Sequence, residues 1–186
     1  MAKFFGNLNA VMIVGLIAAL ALMFGMDANI SGNAVGRWLH LFFGVLWIGL
    51  LYYLNFVQVP LMPTIPDELK PAVGKHIAPK VLFYFRWAAL LTVITGLLVA
   101  YLSGYVHQAM TLQVPFTMIG VGMWIALIMA ANVWFIIWPK QKKVLGIVEA
   151  SADEKAAAGK IALMASRTNV LLSLPMFYTM VNANHG

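Results

Sequence analysis

Five stretches of the sequence are apolar and almost free of charge over about 20 residues, the length that an α-helix needs to cross a bilayer. They cover approximately residues 8–26, 35–57, 81–103, 116–138 and 169–181, and Pro175 interrupts the last, short one. The chain of 186 residues is 62% hydrophobic and only 10% charged. A soluble domain needs apolar residues on just one face of each helix. The sequence therefore predicts an all-α integral membrane protein, with a single domain over residues 1–186 and a bundle of about five transmembrane helices.

Basic residues fall almost entirely on one side of this predicted bundle. If five helices alternate, Lys3 and the cations between residues 70–86 and 140–167 share that side, and only Arg37 lies opposite. The positive-inside rule then predicts a cytoplasmic N-terminus and a periplasmic C-terminus in a bacterial inner membrane. The net charge of +6 suits an anionic lipid surface and requires no nucleic acid as a partner.

Prolines mark two connections. Residues 58–79 contain five prolines and predict a rigid, extended cytoplasmic connection, with Pro79 in the first turn of the third helix. Pro139 is predicted to end the fourth helix. Residues 139–166 then predict a cytoplasmic helical segment, a surface helix pair in which Ser151 and Glu154 fit a capping box.

One face of the second predicted helix is unusually polar. Positions separated by multiples of about 3.6 residues share a face of a helix. Here that face carries His40, Gly44, Trp47, Leu51, Asn55 and Gln58. A stripe of this kind is unfavourable in lipid, so we expect it to face the bundle interior. Gly44 and Trp47 are accordingly candidates for the lining of a cofactor site.

His40 has two interpretations. It could be a buried neutral imidazole bonded to a neighbouring carbonyl or hydroxyl, or an axial ligand of b-type haem. His185 and His107 are predicted on the same side of the membrane and are candidates for the second ligand. Gly44 would serve either helix packing or a flat ligand, and Arg37 either a haem propionate or interfacial anchoring. The chain has no cysteine, which excludes disulfides and covalent c-type haem.

A second polar group is predicted toward the cytoplasmic helix ends, with Asn55, Arg86 and Asn132 as a possible inner site. Their depth is similar, but the sequence does not establish contact. Arg86 would need to reach the interface or find amides, carbonyls, the loop residues Asp67 and Glu68, or an anionic ligand. The sequence contains no glycine-rich phosphate loop, no His-Glu-x-x-His motif and no carboxylate within the apolar windows.

Four blocks of the sequence resemble the membrane domain of the bacterial cytochrome-c-type urate oxidase family. They are RWLHLFFGVLWIGLLYYLNFVQ, HIAPKVLFYFRWAALLT, NVWFIIWPKQKKVLG and SRTNVLLSLPMFYTMV, in the order that the N-terminal region of that family has them. The resemblance implies an inner-membrane protein and, in full-length members, urate oxidation with electrons passed to a fused periplasmic cytochrome c. The positions that match are His40, His76, Arg86, Asn132 and His185. Without a Cys-x-x-Cys-His motif, the chain is expected to be a short stand-alone member that lacks the cytochrome domain.

A second resemblance is confined to one helix. The residues WLH, followed by Trp47 and by Gly-Leu-Leu-Tyr, are similar to the second helix of the haem-binding bacterial protoporphyrinogen oxidases. In that family the helix histidine is a haem ligand. The resemblance therefore implies noncovalent b-type haem at His40.

Two functions are consistent with the sequence. The first is an inner-membrane redox protein that binds b-type haem and relays electrons, with a cytochrome c or another electron carrier as partner. If it is an enzyme, it would be an oxidoreductase for urate or a similar small ring substrate that uses a separate electron acceptor. The alternative is a cofactor-free accessory subunit of a larger respiratory or oxygenase complex. The substrate, the electron partners and the oligomeric state, whether homo-oligomer or subunit, stay open.

Overall fold

The computed structural model describes residues 1–26 and 31–183, and within them the chain is helical and contains no strand. The prediction of an all-α protein is confirmed for this part of the chain. The main helices are α1 (Ala2–Phe5), α2 (Leu8–Met26), α3 (Gly32–Tyr52), α4 (Ala78–Leu102), α5 (Val106–Met110), α6 (Thr117–Ala131), α7 (Trp138–Val144) and α8 (Ala152–Asn182).

Four helical stretches among the described residues are long and apolar enough to cross a membrane. They are Leu8–Met26, Gly32–Thr64, Lys70–Leu102 and Thr117–Val144. These stretches contain most of the first four predicted windows, which confirms the prediction of membrane-spanning helices in this coarse form. The fifth predicted window lies inside α8. The count of five and the orientation in the membrane remain predictions.

The chain divides into two compact units, residues 1–35 and residues 36–186. The first unit contains α1 and α2. None of the residues of α2 is buried. The second unit contains the buried core and every candidate site residue that the structure describes.

Neighbouring helices of the second unit run antiparallel. Toward the start of α3, Gly36 faces Val99 near the end of α4, while Gly44 faces the earlier Thr92. The same reversal relates α6 to α8. A Cβ on Gly122 would lie 2.5 Å from Thr179 Oγ1. Asn132, which follows Gly122 in the chain, is hydrogen-bonded to Ala165, which precedes Thr179. Because residue numbers rise along one helix as they fall along its neighbour, each pair is antiparallel.

Side-chain hydrogen bonds connect the other neighbouring helices of the second unit. The indole N–H of Trp134 donates to the carbonyl oxygen of Arg86 at 3.1 Å, which joins the π-helical segment after α6 to α4. The hydroxyls of Tyr52 and Ser173 lie 2.8 Å apart and join α3 to α8. The second unit is therefore an up-and-down bundle of α3, α4, the α6–α7 stretch and α8.

The core of this bundle lies where the four helices meet. Trp47, Leu51, Phe85, Met129 and Val133 are each no more than 1% exposed and belong to one cluster. In a bilayer, apolar side chains gain little by leaving lipid, so close packing supplies the stabilisation. Small residues allow that packing, since the alanines at positions 88, 89 and 162 are also buried at helix contacts.

The connection over residues 58–79 is not extended, contrary to the prediction. It contains the helical segments Val59–Leu61, Met62–Thr64, Lys70–Ala72 and Val73–Ile77, the last of them π-helical. Four of the five prolines, at positions 60, 63, 71 and 79, occupy first turns of Val59–Leu61, Met62–Thr64, Lys70–Ala72 and α4. Pro66 lies between helical segments. Pro79 lies in the first turn of α4, as predicted.

Pro139 does not end the fourth helix. The chain passes from α6 through a π-helical segment, Asn132–Ile137, into α7, and Pro139 lies in the first turn of α7. The amide of Trp138 donates to the carbonyl of Val133, five residues back. The wider turn shifts the hydrogen-bond pattern just before a residue that has no N–H. Helix therefore continues to Val144.

The predicted surface helix pair and separate fifth helix are also wrong. α8 is one helix of 31 residues, and Pro175 lies inside it. The Ser151–Glu154 capping box is confirmed at its start, where Glu154 N–H donates to Ser151 Oγ at 3.2 Å and Ser151 N–H donates to Glu154 Oε2 at 2.9 Å. The helix continues because residues 152–182 pack along α6 and α7.

The contact of α6 with α5 predicts a large effect of one methyl group. A Cβ on Gly120 would overlap the backbone carbonyl of Ala109, which cannot rotate away. We expect Gly120→Ala to lower the free energy of unfolding by about 1–3 kcal/mol, measured by thermal unfolding in detergent. Gly49→Ala is the matched control, because Gly49 has open space around it. Equal melting temperatures for the two variants would contradict the packing.

Candidate functional site

His40 lies half-buried on α3 and is bonded to α4. Its Nδ1 is 2.9 Å from the carbonyl oxygen of Thr92 and 3.4 Å from Thr95 Oγ1. A backbone carbonyl only accepts hydrogen bonds, so Nδ1 carries the proton of the neutral ring. Among the described residues, Nε2 has no hydrogen-bond partner. The bond to Thr92 thus fixes a tautomer whose Nε2 lone pair is available.

A glycine on α4 makes room for the imidazole. A Cβ on Gly96 would lie 2.8 Å from Cε1 and 3.0 Å from Nδ1 of His40. Gly44, one turn further along α3, has only ordinary contact with α4, since its Cβ would lie 3.8 Å from Thr92 Cγ2. Of the two interpretations of Gly44, this geometry is that of helix packing.

Trp47 lies two turns from His40 and is fully buried in the core. Its indole Nε1 is buried without a hydrogen-bond partner among the described residues. Trp47 therefore anchors α3 by packing, and its indole N–H is a donor with no acceptor among the described residues.

Among the described residues, neither His107 nor Arg37 is hydrogen-bonded to His40. His107 is exposed on α5 and makes no hydrogen bond to His40. His185 lies outside the described residues. Arg37 is exposed one turn before His40, near Tyr105. Burial raises the pKa of Tyr105, while the charge of Arg37 lowers it.

The predicted inner polar group separates into two parts. Asn55 is 3% exposed, and its Nδ2 donates to Leu51 O at 2.9 Å and to Ser166 Oγ at 2.7 Å. Asn132 Nδ2 donates to Ala165 O at 2.8 Å and to Asn169 Oδ1 at 2.7 Å. Both amides thus donate hydrogen bonds to the same stretch of α8, residues 165–169.

Asn169 completes this amide cluster. It is fully buried, and its Nδ2 donates to Met129 O at 3.1 Å. The Oδ1 atoms of Asn55 and Asn132 are buried without partners among the described residues. The cluster is therefore short of donors.

Arg86 has different neighbours. Its guanidinium carbon lies 3.9 Å from the ring centroid of Trp138 and 5.3 Å from that of Phe83. Its Nη1 donates to Leu82 O at 3.4 Å. Asp67 is instead paired with Lys70 at 2.6 Å, which holds the pKa of that carboxyl below its usual range. Stacking on an indole is a known way to place a guanidinium in apolar surroundings.

The sequence interpretation missed the residues of α4 that hold His40. Thr92, Thr95 and Gly96 recur at helical spacing with two buried small residues, Ala88 and Val99. Such a stripe of small and hydroxyl residues is typical of a helix contact, and it was the available signal. Among the described residues no group of three or more His, Asp or Glu side chains could hold a metal ion.

The amide cluster makes a testable contribution to stability. We expect Asn169→Leu to lower the melting temperature, because it removes the bonds to Asn132 and Met129 and leaves their polar atoms buried. The cost should be about 1–3 kcal/mol, measured by thermal unfolding in detergent. Thr168→Ala is the control, since Thr168 is exposed and bonds only within α8. A loss no greater than that of the control would show that the cluster does not stabilise the bundle.

Comparison with known proteins agrees with part of the resemblance. Residues 106–186 match the family model described as urate oxidase N-terminal. No curated protein and no solved structure matches the chain. The matched part contains α5 to α8 and the Asn132–Asn169 bond, whereas His40 lies before it. Residues 106–186 are therefore similar to part of a urate oxidase N-terminal domain.

Proposed function

We propose that this chain is an inner-membrane redox protein that holds b-type haem through Nε2 of His40 and relays electrons. The observation that carries the proposal is the bond between His40 Nδ1 and Thr92 O, 2.9 Å long. A histidine that binds a metal almost always donates its other ring N–H to a carbonyl, carboxylate or water. His40 meets this condition, and the donor type is the usual one for haem in an apolar bundle.

The residues around His40 have separate roles in this proposal. Thr92 O fixes the tautomer, and Gly96 lets the ring lie against α4. Arg37, exposed one turn toward the helix start, would pair with a propionate. Haem, when bound, supplies one-electron exchange between ferric and ferrous iron. Among the described residues we assign His40 alone as a residue that would hold the haem iron.

The family match suggests a setting for this chemistry. The matched family is described as urate oxidase N-terminal. We propose accordingly that the chain works beside an oxidation of urate or a similar small ring substrate, with a cytochrome c or other separate carrier as acceptor. The four membrane-length helices support a location in the bilayer.

One observation favours the alternative of a cofactor-free accessory subunit. The bond to Thr92 already satisfies one polar atom of His40, and the ring lies directly against Gly96. A structural histidine joining α3 to α4 would make the same contacts. The two functions differ in what Nε2 binds, which a spectrum measures.

The first test is a reduced-minus-oxidised visible spectrum of the purified protein, produced with haem precursor supplied. We expect a b-type signal with about one haem per chain by pyridine haemochrome analysis. His40→Ala should lose the Soret band. His76→Ala should keep it, since His76 is exposed and lies on the π-helical segment before α4. A flat spectrum of the unmodified protein, or an unchanged one in His40→Ala, would refute the assignment.

A second variant tests the position of the imidazole. In Gly96→Ala the new methyl group would lie 2.8 Å from Cε1 of His40, so the ring must move. We expect the Soret band to weaken or shift, while Gly49→Ala leaves it unchanged. A purely structural role for His40 predicts no band in any of these proteins.

A further inference from the structure

A cavity of about 240 Å³ lies between the helix ends on the side of the second unit away from His40. All four helical stretches of the bundle contribute to it. Its lining includes Leu54, Gln58, Leu82, Phe85, Gln141 and Ser166. The volume is sufficient for a single ring, since an apolar cavity of about 150 Å³ binds benzene.

Two π-helical segments line this cavity, and a third directly precedes one of its lining residues. Tyr53–Gln58 supplies Leu54 and Gln58, Asn132–Ile137 supplies Ile137, and Val73–Ile77 directly precedes the lining residue Ala78. In each segment an amide donates five residues back, just before a proline. A π turn is wider than an α turn and often occurs at functional sites.

One buried polar atom of the lining lacks a partner. Gln58 Oε1 is buried and accepts no hydrogen bond among the described residues. Ser166 Oγ accepts from Asn55 Nδ2 at 2.7 Å, which leaves the Ser166 hydroxyl proton free to donate. Buried polar groups in proteins normally have partners. Gln58 Oε1 is therefore available to accept a hydrogen bond from an N–H or O–H group of a bound molecule.

The lining also restricts charge. It contains no Lys, Arg, His, Asp or Glu. An ionised group would be buried there without a counter-charge, which is strongly unfavourable. Phe85 and Leu82 give the cavity an apolar wall, and the exposed Leu163 brings it to the surface of the bundle. The cavity is therefore open to the surface and suited to an uncharged ligand.

We propose that the cavity binds an uncharged aromatic ring bearing a hydroxyl group, the chemistry of a quinol head group. The ring packs on Phe85 and Leu82, its O–H donates to Gln58 Oε1, and a second ring oxygen accepts from Ser166 or Gln141. This site goes beyond the proposed redox function and does not depend on haem at His40. The quinol form is preferred to the quinone, because only the quinol has an O–H to donate.

Anaerobic titration calorimetry of the detergent-solubilised chain tests this preference. The probes are duroquinol, duroquinone and the dimethyl ether of duroquinol. All three have the same six-membered ring and differ in the groups on its two oxygens. We expect duroquinol to bind at least about tenfold more tightly than the other two. Equal binding of the ether, or no binding of duroquinol up to about 1 mM, would overturn the proposal.

Variants locate the site. Gln58→Leu should weaken duroquinol binding by about tenfold or more, and Gln113→Leu, at an exposed position, should not change it. Gly159→Leu should abolish binding by filling the cavity that Gly159 lines, with folding checked by gel filtration. Unchanged affinity in Gln58→Leu and Gly159→Leu would overturn the proposal.

Gln58→Leu should keep any haem band and His40→Ala should keep duroquinol binding, so the two proposals fail separately.

Discussion

Backbone hydrogen bonding within hydrocarbon is the constraint on which the rest of this structure depends. Lipid offers no donors or acceptors, so each backbone N–H and C=O must be paired within the protein. Prolines remove donors at positions 60, 79 and 139. The chain responds with π-helical turns just before each of them, so that helix continues where an extended connection would expose unpaired groups. Two of these wider turns also line the cavity beside Gln58.

Polar side chains then determine which helix faces meet, because apolar side chains have little preference between lipid and a neighbouring helix. At one end of the bundle, His40 is hydrogen-bonded to the Thr92 carbonyl. At the other end, Asn55 and Asn132 are hydrogen-bonded to residues of α8, Asn169 among them. Glycines at 96 and 120 allow the close approaches. Both ends combine rigid packing with polar atoms that lack partners, the usual combination at a binding site.

The two proposed sites use this arrangement differently. At His40 the available atom is a lone pair, which suits a metal, and the bond on the opposite nitrogen holds the ring still. At Gln58 the available atom is an amide oxygen in a neutral cavity, which suits an O–H donor. The urate oxidase N-terminal match begins after all the residues of the His40 site and includes only part of the cavity lining, the part from α7, α8 and the π-helical segment before α7.

The sequence by itself determined the helical, membrane-spanning class, because long apolar windows have few other stable forms. It also determined the Ser151–Glu154 cap and the polar face of α3 that carries His40, since these depend on local spacing. Only the tertiary structure decided the partners: Thr92 and Gly96 for His40, Trp138 for Arg86, and Ser166 for Asn55. The hydrogen-bonded pairs His40–Thr92 and Asn55–Ser166 are 52 and 111 positions apart, and the helical period does not indicate which helix faces meet. The π turns and the continuous α8 were likewise invisible in sequence, because neighbouring helices, and not local propensity, stabilise them.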